Sequence, residues 1–375
     1  MRKEADQRLE DTGRPTIYDV ASRARVSPAT VSKVLRGVTT VGEANASRVL
    51  DAVRALDYRR DPLAANLRRS RRSLIGLVVP DFRNPFFGSM IAAIERCSAA
   101  SGYKLVTVSS DRSEETETRR IEDLLDWRVA GLIVIPSGAA FPGGRALQAA
   151  SVPTVLLDRI SGSIAFDGVG VDNRAASARM VDGFYDMGHR ELLLAASSCE
   201  LPNMRERIEG ARAAANARRQ PMRLEILECG SDLDSVTSAI TRRFVRGPVP
   251  AVFALFIEAT LAVLREASRR GLAIPGDLSV AGFDDSDWLQ VMHPPVAAVI
   301  QPVEAMAQAA WERLIGRIDH EATRAADARI ACEIDLRGSI APPGVRRAAA
   351  TGSKNEKSAP QRIGALKQSR PRRKS

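Results

Sequence analysis

Disulfide and metal chemistry find little to work with in this sequence. It has four cysteines, Cys97, Cys199, Cys229 and Cys332, far apart and with no Cys-x-x-Cys pair, and three histidines, His189, His293 and His320. Metal-ligand spacing is absent, so reduced and mostly buried thiols are the expectation, with no metal site. Motifs for a bound cofactor or a catalytic nucleophile are missing as well. No GxGxxG follows a strand, and there is no phosphate loop and no GxSxG, so neither a cofactor nor an enzyme is expected. Asp284 and Asp285 are adjacent carboxylates, but neighbours in a turn seldom share one proton. No run approaches the ~18 apolar residues of a membrane span. The opening stretch, MRKEADQRLEDTGRPT, is charged and lacks the apolar core of a signal peptide, which points to the cytoplasm.

What is present is unevenly distributed. The chain has 375 residues and is 45% hydrophobic, enough for a short head and one large or two medium α/β lobes. Its net charge of +10 comes from the ends. Residues 1–73 hold 16 Lys/Arg against 9 Asp/Glu, and residues 342–375 hold 10 against 1. The middle, 74–341, carries 29 against 35. Basic ends on an acidic body imply that the ends meet a polyanion; ribosomal or membrane-surface binding would give a similar distribution.

Along the chain the texture changes three times. Residues 1–14 are polar, and from Pro342 onward Ser, Ala, Pro, Lys and Arg dominate, so both termini are expected to be disordered. Residues 15–58 read as three short helices, followed by an arginine-rich junction at 59–73. Beyond it, apolar runs such as LIGLVVP (74–80), YKLVTVSS (103–110), AGLIVIP (130–136), VPTVLLD (152–158) and ELLLAASS (191–198) alternate with helical stretches. Continuous apolar strands between amphipathic helices indicate a parallel, doubly wound sheet covered on both faces. The pattern runs twice, roughly 74–170 and 172–300, which predicts two similar lobes.

In the head, Thr16 and Asp19 form a capping pair for a helix over Ile17–Ala24, with Val20, Ala21 and Ala24 facing inward. Ser27 caps a second helix, Pro28–Arg36, which has proline at its first position and Gly37 as its stop. A third, Glu43–Leu56, carries Val49, Leu50, Val53 and Leu56 at helical spacing. Two short helices, a tight turn and a third packing helix make a helix-turn-helix; an ordinary helical hairpin is the competing reading. The second helix presents Pro28, Ala29, Ser32 and Lys33 to a major groove, where Lys33 suits guanine O6 and N7, and Ala29 a thymine methyl. Thr16, Tyr18, Ser27, Thr30 and Arg36 are placed for phosphates, which fix register without reading sequence.

The stretch TIYDVASRARVSPATVSKVLRG resembles the head of the lactose-repressor/galactose-repressor (LacI/GalR) family, and the resemblance continues through nearly all of residues 15–341. It implies a head at 15–60, a hinge at 61–73 and a two-lobed, periplasmic-binding-protein-like domain at 74–341, with one lobe of 74–171 plus 303–330 and the other of 172–302 plus 331–341. The head departs from the family pattern in three places: Arg25 stands for a usual glycine, Arg36 for an asparagine and Gly42 for a phosphate-contacting serine. The segment DPLAANLRR (61–69) reads as a short helix starting at Pro62, too short to be stable alone in water. By resemblance, paired hinge helices enter the minor groove, with Leu67 wedging between base steps and Asn66 and Arg68 as groove contacts. A basic linker with an incidental leucine is the plainer alternative.

Further matches fall at strand ends, where ligands bind in parallel sheets. VVPDFRNPFFGSM (78–90) resembles the family's first pocket loop, with Phe86 and Phe87 as lining residues or as plain core. Asp111 follows the second strand, and Asp158 with Arg159 ends VPTVLLDR. Arg207 falls where the family keeps an effector-clamping arginine, and Asp284 where an aspartate accepts from ligand hydroxyls. Phe256 and Ile257 replace a usual Asn-Asp pair, and Leu233 stands where an aromatic often stacks on a sugar. A pocket so altered leaves hydroxyls unpaired, at ~1–3 kcal/mol each, and implies a less polar effector. His189 reads as a helix-to-strand turn residue. The function expected is a dimeric, sequence-specific DNA-binding regulator, more often a repressor in this family, on a pseudo-palindromic operator and modulated by a small molecule. A stand-alone ligand-binding protein of periplasmic type is the alternative; the head and the missing signal segment argue against it.

Overall fold

The computed structural model describes residues 15–35, 40–58, 73–160, 165–320 and 324–344. The hinge residues Asn66, Leu67 and Arg68, and Arg36 in the head, lie outside the described residues, as do the two termini.

The head consists of α1 (Ile17–Ala24), α2 (Pro28–Leu35) and α3 (Glu43–Ala55). Thr16 and Asp19 close a reciprocal capping box: the Thr16 hydroxyl accepts from the Asp19 N–H, and Asp19 accepts from the Thr16 N–H at 2.7 Å. The turn after α1 places Arg25 at φ 53°, ψ 47°. There Val26 N–H reaches back to Ala21 O at 3.0 Å and Arg25 N–H to Ser22 O at 3.2 Å, a Schellman closure that satisfies the helix's last carbonyls. Val20, Ala21, Ala24, Val31, Val49 and Ala52 form the buried core, flanked by Ile17, Val26, Val34, Leu35, Val53, Leu56 and Tyr58. One expectation needs correction. Leu50 is 48% exposed, and Ala52 is buried instead, because the inward stripe of α3 runs through 49, 52, 53 and 56 and leaves position 50 about 100° away.

Beyond the head, the chain divides into two units, one running to Gly170 and including Val303–Ala328, the other comprising Val171–Pro302 and the residues from Arg329. The first contains β1 (Leu74–Val79), α4 (Pro85–Ala100), β2 (Lys104–Ser109), α5 (Glu114–Asp126), β3 (Gly131–Val134), α6 (Gly144–Ala150), β4 (Thr154–Leu157) and β5 (Asp167–Val171). The second contains α7 (Asn173–Asp186), β6 (Glu191–Ala196), α8 (Pro202–Asn216), β7 (Arg223–Glu228), α9 (Leu233–Val245), β8 (Ala251–Ala254), α10 (Ile257–Arg270), β9 (Ser279–Phe283), α11 (Asp287–Gln290) and β10 (Ala297–Ile300). The chain then returns to the first unit with α12 (Val303–Ile318) and β11 (Asp327–Ile330), and ends in the second with β12 (Glu333–Asp335).

The two six-stranded sheets have the same plan, β11-β5-β4-β3-β1-β2 and β12-β10-β9-β8-β6-β7. Pairing from β1 to β5 and from β6 to β10 is parallel, and β12 closes the second sheet antiparallel to β10. The central strands β3, β4, β8 and β9 are buried along their whole length, whereas β2 and β7, each at a sheet edge, are only half-buried. Helices on both faces explain why the central strands read as unbroken apolar runs. The returning α12 is fixed to the first unit by Trp311, whose indole donates to Ser101 Oγ at 2.9 Å and meets the Tyr103 ring edge-on. In the second unit, Gly210 lets α8 approach α7 closely; a Cβ there would lie 2.2 Å from the Arg174 carbonyl oxygen.

Candidate nucleic-acid interface and effector walls

The outward face of α2 is formed by Ala29 and Lys33, both exposed, with Ser32 half-buried beside them. These positions are three and four residues apart, so one short helix presents them together. The Ser27 hydroxyl accepts from Thr30 N–H at 3.2 Å and meets Thr30 Oγ1 at 2.9 Å. The expected phosphate contacts Thr16 and Ser27 thus also cap helices, and Thr30 bonds to the Ser27 cap, which holds all three hydroxyls at helix N-termini. No acidic residue lies in the first turn of α2, so its positive dipole end is not neutralised. Tyr18 is 64% exposed on α1.

In the first unit the expected effector residues gather at the C-terminal ends of β1, β2 and β4. Phe87 is buried and Phe86 half-buried, their rings 5.5 Å apart edge-on. Arg159 lies over the Phe87 ring at 5.9 Å and donates to the carbonyls of Pro136 and Ser137 at 2.9 and 3.0 Å. Asp158 is buried, and Asp111 is exposed. Sequence reasoning missed the pair that joins the first two loops. Asp81, 2% exposed, accepts from Arg83 N–H at 2.7 Å and Asn84 N–H at 3.0 Å, and from Arg112 Nε at 2.7 Å. Burial pushes the Asp81 carboxyl up, but the Arg112 guanidinium and these N–H groups outweigh it and hold it below the usual carboxylate range. The signal was available: Asp81 sits inside the pocket-loop motif, three residues before the Asn84 cap of α4.

The second unit repeats this plan. Asp284 follows β9 as Asp158 follows β4, each on the third strand of its sheet. Their N–H groups donate to the neighbouring strands' Val299 and Val169 carbonyls at 3.1 and 2.8 Å. Both have left-handed backbone, at φ 81° and 62°, as does Asp111 at 51°. Aspartate tolerates this region better than most side chains, and strained residues concentrate at functional sites. Arg207 is 2% exposed and lies 3.4 Å above the Phe283 ring. Its Nε donates to Asn173 Oδ1 at 2.9 Å and its Nη1 to Leu255 O at 2.6 Å. Gln301 donates to Asp284 Oδ1. Phe256 and Ile257 open α10 with 7% and 5% exposure, in an apolar stretch with Leu255. Asn173, Phe283 and Gln301 are the partners that sequence reading did not identify.

Elsewhere in the first unit, hollows of about 460 and 500 Å³ flank Asp167 and Arg317 at the N-terminal ends of β4 and β5. There Asp167 already accepts from Arg317 Nε at 2.7 Å and Ala326 N–H at 3.0 Å. This is a structural ion pair at the sheet end opposite the aspartates. His189 is buried between α7 and β6, its Nε2 3.0 Å from both Ser279 Oγ and Ala341 O, with the Phe184 ring against it. Among the described residues no group of three or more His, Cys, Asp or Glu side chains is arranged to hold a metal ion, and no helix is long and apolar enough to cross a membrane.

A helix-turn-helix head on a duplicated α/β domain, with its distinctive residues at the strand ends, defines a class: DNA-binding regulators built on a periplasmic-binding-protein-like domain. The comparisons agree. Residues 16–61 match the bacterial regulatory proteins of the lacI family, and residues 181–340 match a periplasmic binding protein-like domain. The chain is 32% identical over 332 residues to the HTH-type transcriptional regulator PtxS of Pseudomonas putida, covering 88% of this chain and 97% of that protein. It is 28% identical to the HTH-type transcriptional repressor CytR of Escherichia coli, covering 86% and 96%. Among solved structures, the lac repressor dimer bound to operator and an anti-inducer shares the fold at 22% identity and TM-score 0.74, covering 88% and 99%. A complex of the regulator CelR with cellobiose matches at 26% identity and TM-score 0.64, covering 87% and 100%. The chain belongs to the lacI family of bacterial regulatory proteins and is a transcriptional regulator, not an enzyme.

Proposed function

We propose that this regulator is a cytoplasmic repressor that binds a pseudo-palindromic operator as a homodimer. In this reading α2 lies in the major groove with Pro28, Ala29, Ser32 and Lys33 toward the bases. Thr16, Tyr18, Ser27, Thr30 and Arg36 fix the backbone register, and Asn66, Leu67 and Arg68 of the hinge enter the minor groove. The observation that carries it is the short Ala29–Ser32–Lys33 face, exposed at Ala29 and Lys33, on a helix whose N-terminus bears no acidic side chain.

The residues expected to contact the effector are Phe86, Phe87, Asp111, Asp158 and Arg159 in one lobe, and Arg207, Phe256 and Asp284 in the other. The buried Phe256 and Ile257 support an effector less polar than a simple hexose. Selection of bound duplexes from random DNA tests the DNA half. A footprint with two-fold symmetry, whose affinity falls steeply with salt, is expected. Stable monomers, or equal affinity for random and selected duplexes, would overturn it. Thermal shifts with simple hexoses test the other half, and a clear shift with one would refute the less polar pocket.

A further inference from the structure

Glu117, in the first turns of α5, has no exposed surface, and nothing in the effector reading uses it. Its Oε2 accepts the Ser137 N–H at 2.6 Å, while Oε1 is buried without a hydrogen-bond partner. Ser137 lies just past β3, beside the end of β1. On that side its hydroxyl meets the Ser110 hydroxyl at 2.6 Å, and the Ser110 N–H reaches Val79 O at 2.9 Å. The strand order reverses direction around β1, so this is the switch point at which open parallel sheets bind ligands. Arg159 donates to the carbonyls of Pro136 and Ser137. The Ser137 residue is therefore held by its N–H from Glu117 and by its carbonyl from Arg159. The loop continues away from it with a second tie to α5, the Ala140 N–H on Glu114 Oε1 at 3.2 Å.

A buried acid with an idle oxygen is costly compared with an apolar side chain, which could pack there without any unmet polar atom. Burial pushes the Glu117 carboxyl up; the Ser137 hydrogen bonds and the Arg159 charge offset only part of this, and Glu114 adds to it. The contact that compensates is the grip on Ser137. We propose that Glu117 is a positioning residue of the effector wall: through the Ser137 peptide it fixes the 136–143 loop and the acceptors on which Arg159 is seated. Arg159 in turn covers Phe87, so a side chain on the far side of the loop sets the placement of two expected effector contacts. The role of that wall rests on the effector reading; the grip itself does not.

Amide hydrogen exchange on the full-length protein tests this without any effector, comparing wild type with E117A, E117D and E117Q. Alanine removes the acceptor and aspartate falls one methylene short of it, whereas glutamine restores an oxygen at the same reach. Exchange over 136–143 and at Arg159 should quicken by about tenfold or more in E117A and E117D, and stay within about threefold of wild type in E117Q. Amides of β8 and β9 should not change. Unaltered loop exchange in the alanine and aspartate variants overturns the proposal. So does a glutamine variant as loose as alanine, or a parallel rise in β8 and β9, which would mark general destabilisation. If E117A does not fold, the aspartate–glutamine pair decides. Failure here would leave the effector reading standing, and failure of the thermal-shift test would leave the grip standing.

Discussion

Arg25 offers the sharpest test of how the head is built, because a residue with a Cβ occupies a position that favours glycine. It has φ 53° and ψ 47°, is solvent-exposed, and closes α1 through the Ser22 and Ala21 carbonyls. Left-handed backbone costs an L-residue about 1–2 kcal/mol. Replacing Arg25 with glycine removes that strain but adds freedom to the unfolded chain, a loss of about 0.5–1 kcal/mol. The difference favours Arg25→Gly by about 0.5–1 kcal/mol, a factor of about 2 to 5 in the opening equilibrium of the head. Arg25→Ala keeps the Cβ and should gain nothing. Hydrogen exchange of α1 and α2 amides in the full-length protein is the assay, since it reports local opening without requiring the lobes to melt. Slower exchange in the glycine variant, with alanine unchanged, is the expected result. If glycine and alanine behave alike, the left-handed turn is not where the head's strain lies, and the reasoning fails.

Three further perturbations test the lobes. Gly210→Ala places a Cβ 2.2 Å from a backbone oxygen of α7, which only separation of the helices can relieve; a loss of about 1–3 kcal/mol should appear in urea unfolding. Arg207→Lys keeps the charge but cannot serve both Asn173 Oδ1 and Leu255 O, nor lie flat on Phe283. A loss of about 1–3 kcal/mol is expected, seen as a lower denaturation midpoint. His189 is held below its ordinary value of 6.5, chiefly by burial. Below that value the unfolded chain takes up a proton the folded chain resists, so the contribution is fully present above it and is lost as pH falls toward the folded value. The melting temperature of wild type should therefore drop more steeply than that of His189→Gln between about pH 7 and 5; parallel curves would remove His189 as the cause.

Much of the architecture was legible because it follows from local chemistry. A capping threonine three residues before an aspartate and a serine before proline mark the starts of α1 and α2 in the sequence, and apolar residues at helical spacing mark α3. Apolar runs alternating with amphipathic stretches indicate parallel sheets, and their repetition indicates two lobes. Leu50 shows where this stops: spacing alone allows either 50 or 52 beside 49, 53 and 56, and the packing of α3 against α1 selects the stripe through 52, which leaves 50 outside it. The candidate effector wall was half legible. Asp158, Arg159 and Asp284 stand beside strand ends, whereas Arg207, inside α8, was indicated by the family resemblance alone.

Their supports were not, because they come from distant parts of the chain. Asn173 reaches Arg207 across 34 residues, and Ser137 meets Glu117 across 20. Sequence fixes what each residue prefers locally and so determines the elements, their order and their apolar faces. Which buried polar groups find one another is decided only when the strands align. A carboxylate or guanidinium removed from water must be matched by whatever donors and acceptors the neighbouring strand ends supply, and that matching is a property of the assembled sheet.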